Sequence, residues 1–206
     1  MLLLAACTQH QERKTQAVYS LDNNQSPADE ITCWGIGDID LDNDESSLAE
    51  KVGKKNLVRD SLILGGSFER VVTKVWKGEN KEVTIHWKEK KPPFSTIDFL
   101  EISQPHSPYH FVNGIKIGSR LSEMVKLNGD IPITLYGFGG DNGGAFVDFG
   151  KGKLAGDIPC FGGVFTLPQS VGPDDMKGIQ GDKKMTSDNS WLKKYDPTLA
   201  VIRVHN

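Results

Sequence analysis

Ile115-Lys-Ile-Gly-Ser-Arg-Leu-Ser-Glu-Met-Val125 packs a short alternating run, a turn and the start of a helix into eleven residues. Leu121 and Val125 lie four apart, so they share one helical face. The same frame occurs earlier. Ile39-Asp-Leu41 leads through an acidic loop into Ser47-Leu-Ala-Glu-Lys-Val52, where Leu48 and Val52 are again four apart. Ser46 or Ser47 in the first copy and Ser119 in the second are placed to cap a helix by accepting from a free amide. Gly53 or Asn56, and then Asn128-Gly129, are placed to end the helices in the left-handed conformation.

The similarity continues downstream. Glu69–Trp76 and Glu82–Trp87 read as strands joined by a hairpin loop over Lys77–Lys81. Ile133–Phe138 and Ala145–Phe149 form the matching pair around Gly139–Gly144. A third strand closes each unit, Ile97–Ile102 in one and Leu199–Val204 in the other. The expected fold is α+β: two related units, each a short helix on an antiparallel sheet of about three to four strands. The first unit spans 29–104 and the second 109–206, with Pro105–Pro108 as a linker. A loop-rich insertion at about 155–189 sets the second unit apart, with one strand expected at Gly163–Leu167. Two such units could cover each other's open faces or lie side by side in one continuous sheet.

Residues 1–28 read differently. Leu2-Leu-Leu-Ala-Ala-Cys7 resembles a bacterial lipobox, in which small residues precede a cysteine that accepts a diacylglycerol. That resemblance implies that Cys7 is the lipid-bearing first residue of the mature chain. Acyl chains anchor by about 0.8 kcal/mol per buried methylene. The polar tract from Thr8 to Ala28 reads as a flexible tether. A full signal also carries a charged n-region and an apolar stretch of about 7–15 residues. The reading therefore expects Lys or Arg and further apolar residues encoded upstream of Met1. The alternative is an apolar N-terminus with an incidental Cys, in a cytoplasmic protein.

Export bears on the two other cysteines. With Cys7 acylated, Cys33 and Cys160 remain as an even pair in an oxidising compartment. They either form a disulfide or sit as two buried thiols. The composition is that of a folded protein, with 37% hydrophobic and 25% charged residues and a net charge of −3. The 24 basic residues are scattered among 27 acidic ones, which argues against a nucleic-acid partner. The densest basic cluster, Lys88, Lys90 and Lys91, surrounds Glu89 beside Pro92-Pro93 and reads as a solvated strand end.

Asn113-Gly-Ile-Lys-Ile-Gly-Ser-Arg-Leu-Ser-Glu-Met-Val-Lys-Leu-Asn-Gly129, followed by Tyr136-Gly-Phe-Gly-Gly-Asp-Asn-Gly-Gly144, resembles a family of uncharacterised bacterial lipoproteins of the Bacteroidetes type. Their pattern is N-G-I-x-I-G-x-x-L-x-E-x-x-x-L-N-G, then an aromatic-Gly-Phe-Gly-Trp-Asp-Tyr-Gly-Gly segment. The chain departs from it at Gly140 and Asn142, where that family has aromatics. At lower resolution the pattern is similar to small outer-membrane-assembly lipoproteins and to tandem-repeat β-lactamase-inhibitor proteins. That likeness implies a helix on an antiparallel sheet whose exposed face binds other proteins.

Several constellations carry residue types suited to chemistry. Asp38, Asp40, Asp42 and Asp44 occupy alternate loop positions as in a calcium loop. Yet Ala49 stands where the bidentate acid belongs, and a solvated acidic strand end is the competing reading. Gly137–Gly144 lacks the ending of a phosphate loop and reads as a wide hairpin turn. Asp141, Asp148 and Asp157 could serve acid–base chemistry if a cleft gathered them. His106 and His110 have ligand spacing, but Pro105 and Pro108 oppose a helix there. Ser67 lacks the second Gly of a nucleophile elbow. Trp34, Trp76, Trp87 and Trp191 are expected in the core or on sheet faces, though Trp76 and Trp87 flank one hairpin and could line a surface. The candidate binding surface comprises Trp76, Trp87, Tyr136, Phe138, Asp141 and Asn142. No cofactor is expected.

Three functions follow. The first is a lipid-anchored, non-enzymatic module of the cell envelope, facing the periplasm or the exterior, that binds or assembles another envelope protein. The second is an envelope hydrolase using scattered carboxylates. The third is an inhibitor-like protein that docks one partner.

Overall fold

The computed structural model describes residues 28–64 and 67–205. Cys7 and the tether lie outside the described residues, as does the side chain of Ser67.

The chain opens with a tight meander, β1 (Glu30–Thr32), β2 (Gly35–Ile36) and β3 (Ile39–Asp40). A short helix, α1 (Glu45–Leu48), continues into a π turn at Ala49–Gly53 and a 3-10 turn at Lys54–Asn56. Leu48 is buried and Val52 packs against the core, as their shared face requires. The cap is Asp44 rather than Ser46 or Ser47. Its carboxylate accepts the Ser47 N–H, and the Ser47 hydroxyl accepts the Asp44 N–H, a reciprocal capping box.

Next come β4 (Leu57–Leu64), β5 (Ser67–Val75), β6 (Val83–Trp87) and β7 (Ile97–Ile102), antiparallel neighbours in sequence order. Two residues beyond the linker, β8 (His110–Phe111) returns to lie parallel to β1. Ile115-Lys-Ile117, expected as a strand, is instead a turn with a single bridge from Lys116 to His110. Its apolar residues alternate because Ile115 plugs the core while Lys116 faces solvent. Helix α2 (Leu121–Leu127) follows, with Leu121 and Met124 buried. Ser119 does not cap it: Ser119 Oγ accepts from Lys116, and Glu123 accepts the Arg120 N–H. Asn128-Gly129 ends it, with Gly129 at φ +74°.

The remaining elements are β9 (Thr134–Tyr136), β10 (Phe146–Asp148), α3 (Leu154–Asp157), β11 (Phe161–Thr166), α4 (Pro173–Met176), β12 (Lys184–Thr186), α5 (Ser190–Tyr195) and β13 (Thr198–His205). The insertion thus contributes two strands and two short helices besides its loops. Strands β10, β9 and β12 form a small sheet.

The fold is α+β, with antiparallel pairing nearly throughout. The largest sheet runs β11-β13-β7-β6-β5-β4. It therefore crosses the boundary between the halves: β13 pairs with β7, not with the β9–β10 hairpin. Leu199, Ile202 and Val204 of β13 enter the same core as Leu100 and Ile102 of β7. One apolar cluster links Leu48, Val75 and Ile85 to Leu121, Met124, Leu135 and Leu192, and buried apolar area is the main favourable term in folding. Among the described residues no helix is long and apolar enough to cross a membrane.

Candidate functional site

Alternation along three strands of the large sheet decides what its two faces carry. Val83, Ile85, Leu100, Ile102, Ile202 and Val204 point into the core. The intervening residues, Thr84, His86, Phe99, Glu101, Arg203 and His205, therefore share the opposite face. Register places them in two neighbouring rows. One row runs Val72, His86, Phe99, His205, and the other Lys74, Thr84, Glu101, Arg203. A bulge at Asp98, between the pairs His86–Phe99 and Trp87–Ile97, brings Asp98 to the same side, 3.5 Å from Arg70. The heads of Arg70, Lys74, Asp98 and Arg203 remain 31, 28, 41 and 39% exposed, so this face meets solvent.

Phe99 is the centre of the cluster. The His86 ring stacks on it at 4.0 Å, His205 meets it edge-on at 6.3 Å, and the Arg203 guanidinium lies 5.5 Å from its centroid. Arg203 Nε donates to Glu101 Oε2 at 2.8 Å. Gly162, opposite Arg203 on β11, gives His205 its room, because a Cβ there would lie 2.7 Å from the His205 ring.

His86 is 5% exposed, and its Nε2 has no hydrogen-bond partner among the described residues. The nearest carboxylate oxygen, Glu101 Oε2, is 3.9 Å away, too far for a hydrogen bond. Burial pushes the imidazole down to about 4, with Arg203 and Arg70 adding to the effect. His205 is lowered as well, by burial and then Arg203, against an opposing pull from Asp98. His86 is therefore neutral near pH 7. The arrangement is a stacked aromatic cluster rimmed by charge, in which half-buried Phe99 and His205 meet solvent and His86, with its unpartnered ring nitrogen, lies buried beneath them.

A stability prediction follows. In the unfolded chain His86 takes up a proton near pH 6.5, but the folded protein resists it until about pH 4. Stability is then complete above pH 6.5 and falls as the pH drops toward 4, by about 3 kcal/mol. Urea melts at pH 7 and pH 4.5 will show the loss, and His86→Gln will flatten it. An unchanged slope in that variant would refute the assignment.

The residues singled out from sequence are dispersed. Trp87 is a core residue rather than a surface one: it is 1% exposed, stacks on Phe94 and donates to Thr73 Oγ1. Phe138 is likewise buried, at the junction with Ile179. Trp76 is half-buried with Lys81 over its ring, and Tyr136 is half-buried on β9. Asp141 and Asn142 are exposed in the glycine loop, where Asp182 accepts the Asn142 N–H. The departure at Gly140 has a local cause, since a Cβ there would lie 2.5 Å from Asp182 Oδ1. Trp34, expected in the core or on a sheet face, stands 78% exposed at the β1–β2 turn, and Trp191 is half-buried.

The four carboxylates of the acidic loop are engaged separately. Asp44 is committed to its helix, Asp40 to Lys51 at 2.6 Å, and Asp38 and Asp42 face solvent. Among the described residues no three His, Cys, Asp or Glu side chains gather as metal ligands. Asp141, Asp148 and Asp157 are each exposed. Asp148 accepts from Gly150 and Thr134, and Asp157 pairs with Lys153. No cleft gathers these three, so the burial that tunes a catalytic carboxylate is missing. His106 is exposed, and His110 lies 3.8 Å from Asp29 rather than near a metal partner. Cys33 and Cys160 are brought together in a disulfide, Cα to Cα 5.3 Å, which ties the β1–β2 turn to the start of β11.

The sheet-face cluster escaped the sequence reading. Its signal was present: in Val-Thr-Ile-His-Trp, Asp-Phe-Leu-Glu-Ile and Val-Ile-Arg-Val-His, polar or aromatic residues alternate with aliphatic ones. No family model and no curated protein matches the chain. Among solved structures, the uncharacterized protein yfeY from Escherichia coli is similar over 86% of this chain and 99% of its own, at 14% identity and a TM-score of 0.49. That score is too low to bear on fold or function.

Proposed function

We propose that this is a lipid-anchored protein of the bacterial cell envelope, acylated at Cys7, which binds another envelope protein and performs no chemistry itself. The observation that carries the binding role is the solvent-facing side of the large sheet, where half-buried Phe99, His205 and Arg203, backed by buried His86, form an aromatic and cationic platform. Aromatic residues and arginine are the side chains enriched at protein interfaces. Fixed strands also leave little to be ordered on binding. The Cys33–Cys160 disulfide supports export, because such bonds persist in oxidising compartments. The resemblance of Asn113–Gly129 to lipoproteins points the same way. An inhibitor-like role would use the same face. The hydrolase reading is the weaker one, because Asp148 and Asp157 serve local contacts and Asp141 is exposed in the glycine loop.

Expression of the natural gene in a bacterium tests the anchor. The protein is expected in the detergent phase of a phase-partition experiment and its Cys7→Ser variant in the aqueous phase. Equal partitioning of the two would remove the lipid anchor from the account.

A further inference from the structure

Strand β4 ends the large sheet, so among the described residues one side of its backbone meets no other strand. An edge of eight residues is long enough to recruit another chain, and proteins blunt such edges with proline, charged side chains, bulges or a covering element; here Arg59, Asp60 and a bulge in the pairing with β5 near Leu62–Ile63 are the devices present. Leu57–Ile63 contains no proline. The Ser61 N–H is held by its own Asp60 carboxylate at 2.9 Å instead of by β5. Ladder alternation then directs the peptide groups of Arg59 and Ser61 to the free edge, while Val58, Asp60 and Leu62 exchange bonds with β5. The side chains divide likewise: Leu57, Arg59, Ser61 and Ile63 lie on one face and Val58, Asp60 and Leu62 on the other.

The edge is self-complementary about Asp60. In either direction come one polar residue, Arg59 or Ser61, and then two apolar ones, Val58 and Leu57 or Leu62 and Ile63. Val58 and Ile63 are 37 and 61% exposed. Beside the strand, on the face that carries Ile63, opens a groove of about 630 Å³ lined by Glu45, Ser46, Ala49, Lys54, Leu57 and Arg59.

We propose that β4 pairs antiparallel with β4 of a second copy, about a two-fold axis that passes through Asp60 perpendicular to the sheet. In this register Arg59 faces Ser61 of the second copy, Val58 faces Leu62, and Leu57 faces Ile63. Each exposed Ile63 thus enters the groove beside the other copy's Leu57. The two Asp60 carboxylates meet across the axis, and alone they would repel. Each brings Lys77, whose Nζ is 2.9 Å from its own Asp60, so two acids and two ammonium groups alternate there. This charge balance and the palindromic pattern select a second copy over an arbitrary extended segment. The contact is isologous and closes on itself. It sets the two platforms described above on the same side of one doubled sheet.

Sedimentation equilibrium over about 1–100 µM, the range that resolves micromolar dissociation constants, tests the pairing. The expected mass at the upper end is twice that of the monomer. Ser61→Pro removes an edge N–H that the β4–β5 ladder does not use, and Ile63→Lys charges the exposed knob. Each is expected to weaken dimerisation at least tenfold, with far-UV circular dichroism and melting temperature unchanged. The pairing is overturned by a monomer throughout that range, by a dimer that survives both substitutions, or by a dimer lost on Phe99→Asp but kept in Ile63→Lys.

Discussion

Replacing Cys33 and Cys160 together by serine is expected to lower the free energy of unfolding by about 5 kcal/mol. The two cysteines are 127 residues apart, and the bond between them closes more than half of the chain into one loop. Loop-closure entropy for that length gives about 5 kcal/mol, the upper end of what native disulfides contribute. That is a large share of the roughly 5–15 kcal/mol available to a domain. The position adds to the expectation. The meander β1–β3 consists of strands of two or three residues, and this bond ties it covalently to the start of β11, at one edge of the large sheet. Urea denaturation of both forms, read by tryptophan fluorescence, measures the difference. A loss below about 1 kcal/mol would mean that the bond does not constrain the unfolded chain as this loop length requires.

Asn128→Ala is expected to cost about 4 kcal/mol, comparable to deleting a large core side chain. Asn128 is fully buried at the end of α2. Its Nδ2 donates to the carbonyls of Ile131 and Phe149, both at 2.9 Å, and its Oδ1 accepts the Leu154 N–H at 3.0 Å. One side chain thereby joins the end of α2, the segment leading into β9, the end of β10 and the start of α3. Alanine would strand three polar groups in the interior, each worth about 1–3 kcal/mol. Asn128→Asp tests the same point in a second way. It keeps the shape but replaces the donating amide with a buried charge or an acid able to serve one carbonyl. Chemical denaturation curves for both variants check the prediction, and a cost below about 1 kcal/mol in each would show that these bonds are dispensable.

Asn128 also shows what the sequence could convey. In Asn113–Gly129 most motif positions serve the fold, though Leu127 is 40% exposed. Asn113 Oδ1 accepts the Ile115 N–H, Ile115 and Leu121 are buried, and Glu123 closes the start of α2. Gly114, Gly118 and Gly129 all sit at positive φ. Local signals of this kind are readable because turn chemistry and helical spacing involve near neighbours. β4 was not readable, because Arg59-Asp60-Ser61 interrupts the apolar run of a strand that has one neighbour among the described residues. The partner of β13 was equally hidden. Leu199–Val204 announces a strand, but its pairing with β7 depends on a shared core a hundred residues away.

The platform lies between these cases. His86, Phe99 and Arg203 each stand at alternating positions, and that much is local. Their convergence depends on register among three strands and on the bulge at Asp98. Phe138, and Trp87 as an alternative to its place in the core, stood as candidates for a surface because a large aromatic beside a turn looks the same in sequence whether it faces in or out. Thr73 as a buried partner for the Trp87 indole lies on another strand.

The proposal that the sheet face docks an envelope protein can be tested in living cells. A photo-crosslinking residue at Thr84, between His86 and Lys74 on the platform, is compared with one at Lys177, an exposed position on the turn after α4. The account predicts one discrete cross-linked product from position 84 that is lost when Phe99→Asp is added, and no such product from position 177. A product that persists with Phe99→Asp, or the absence of any product from position 84, would contradict it.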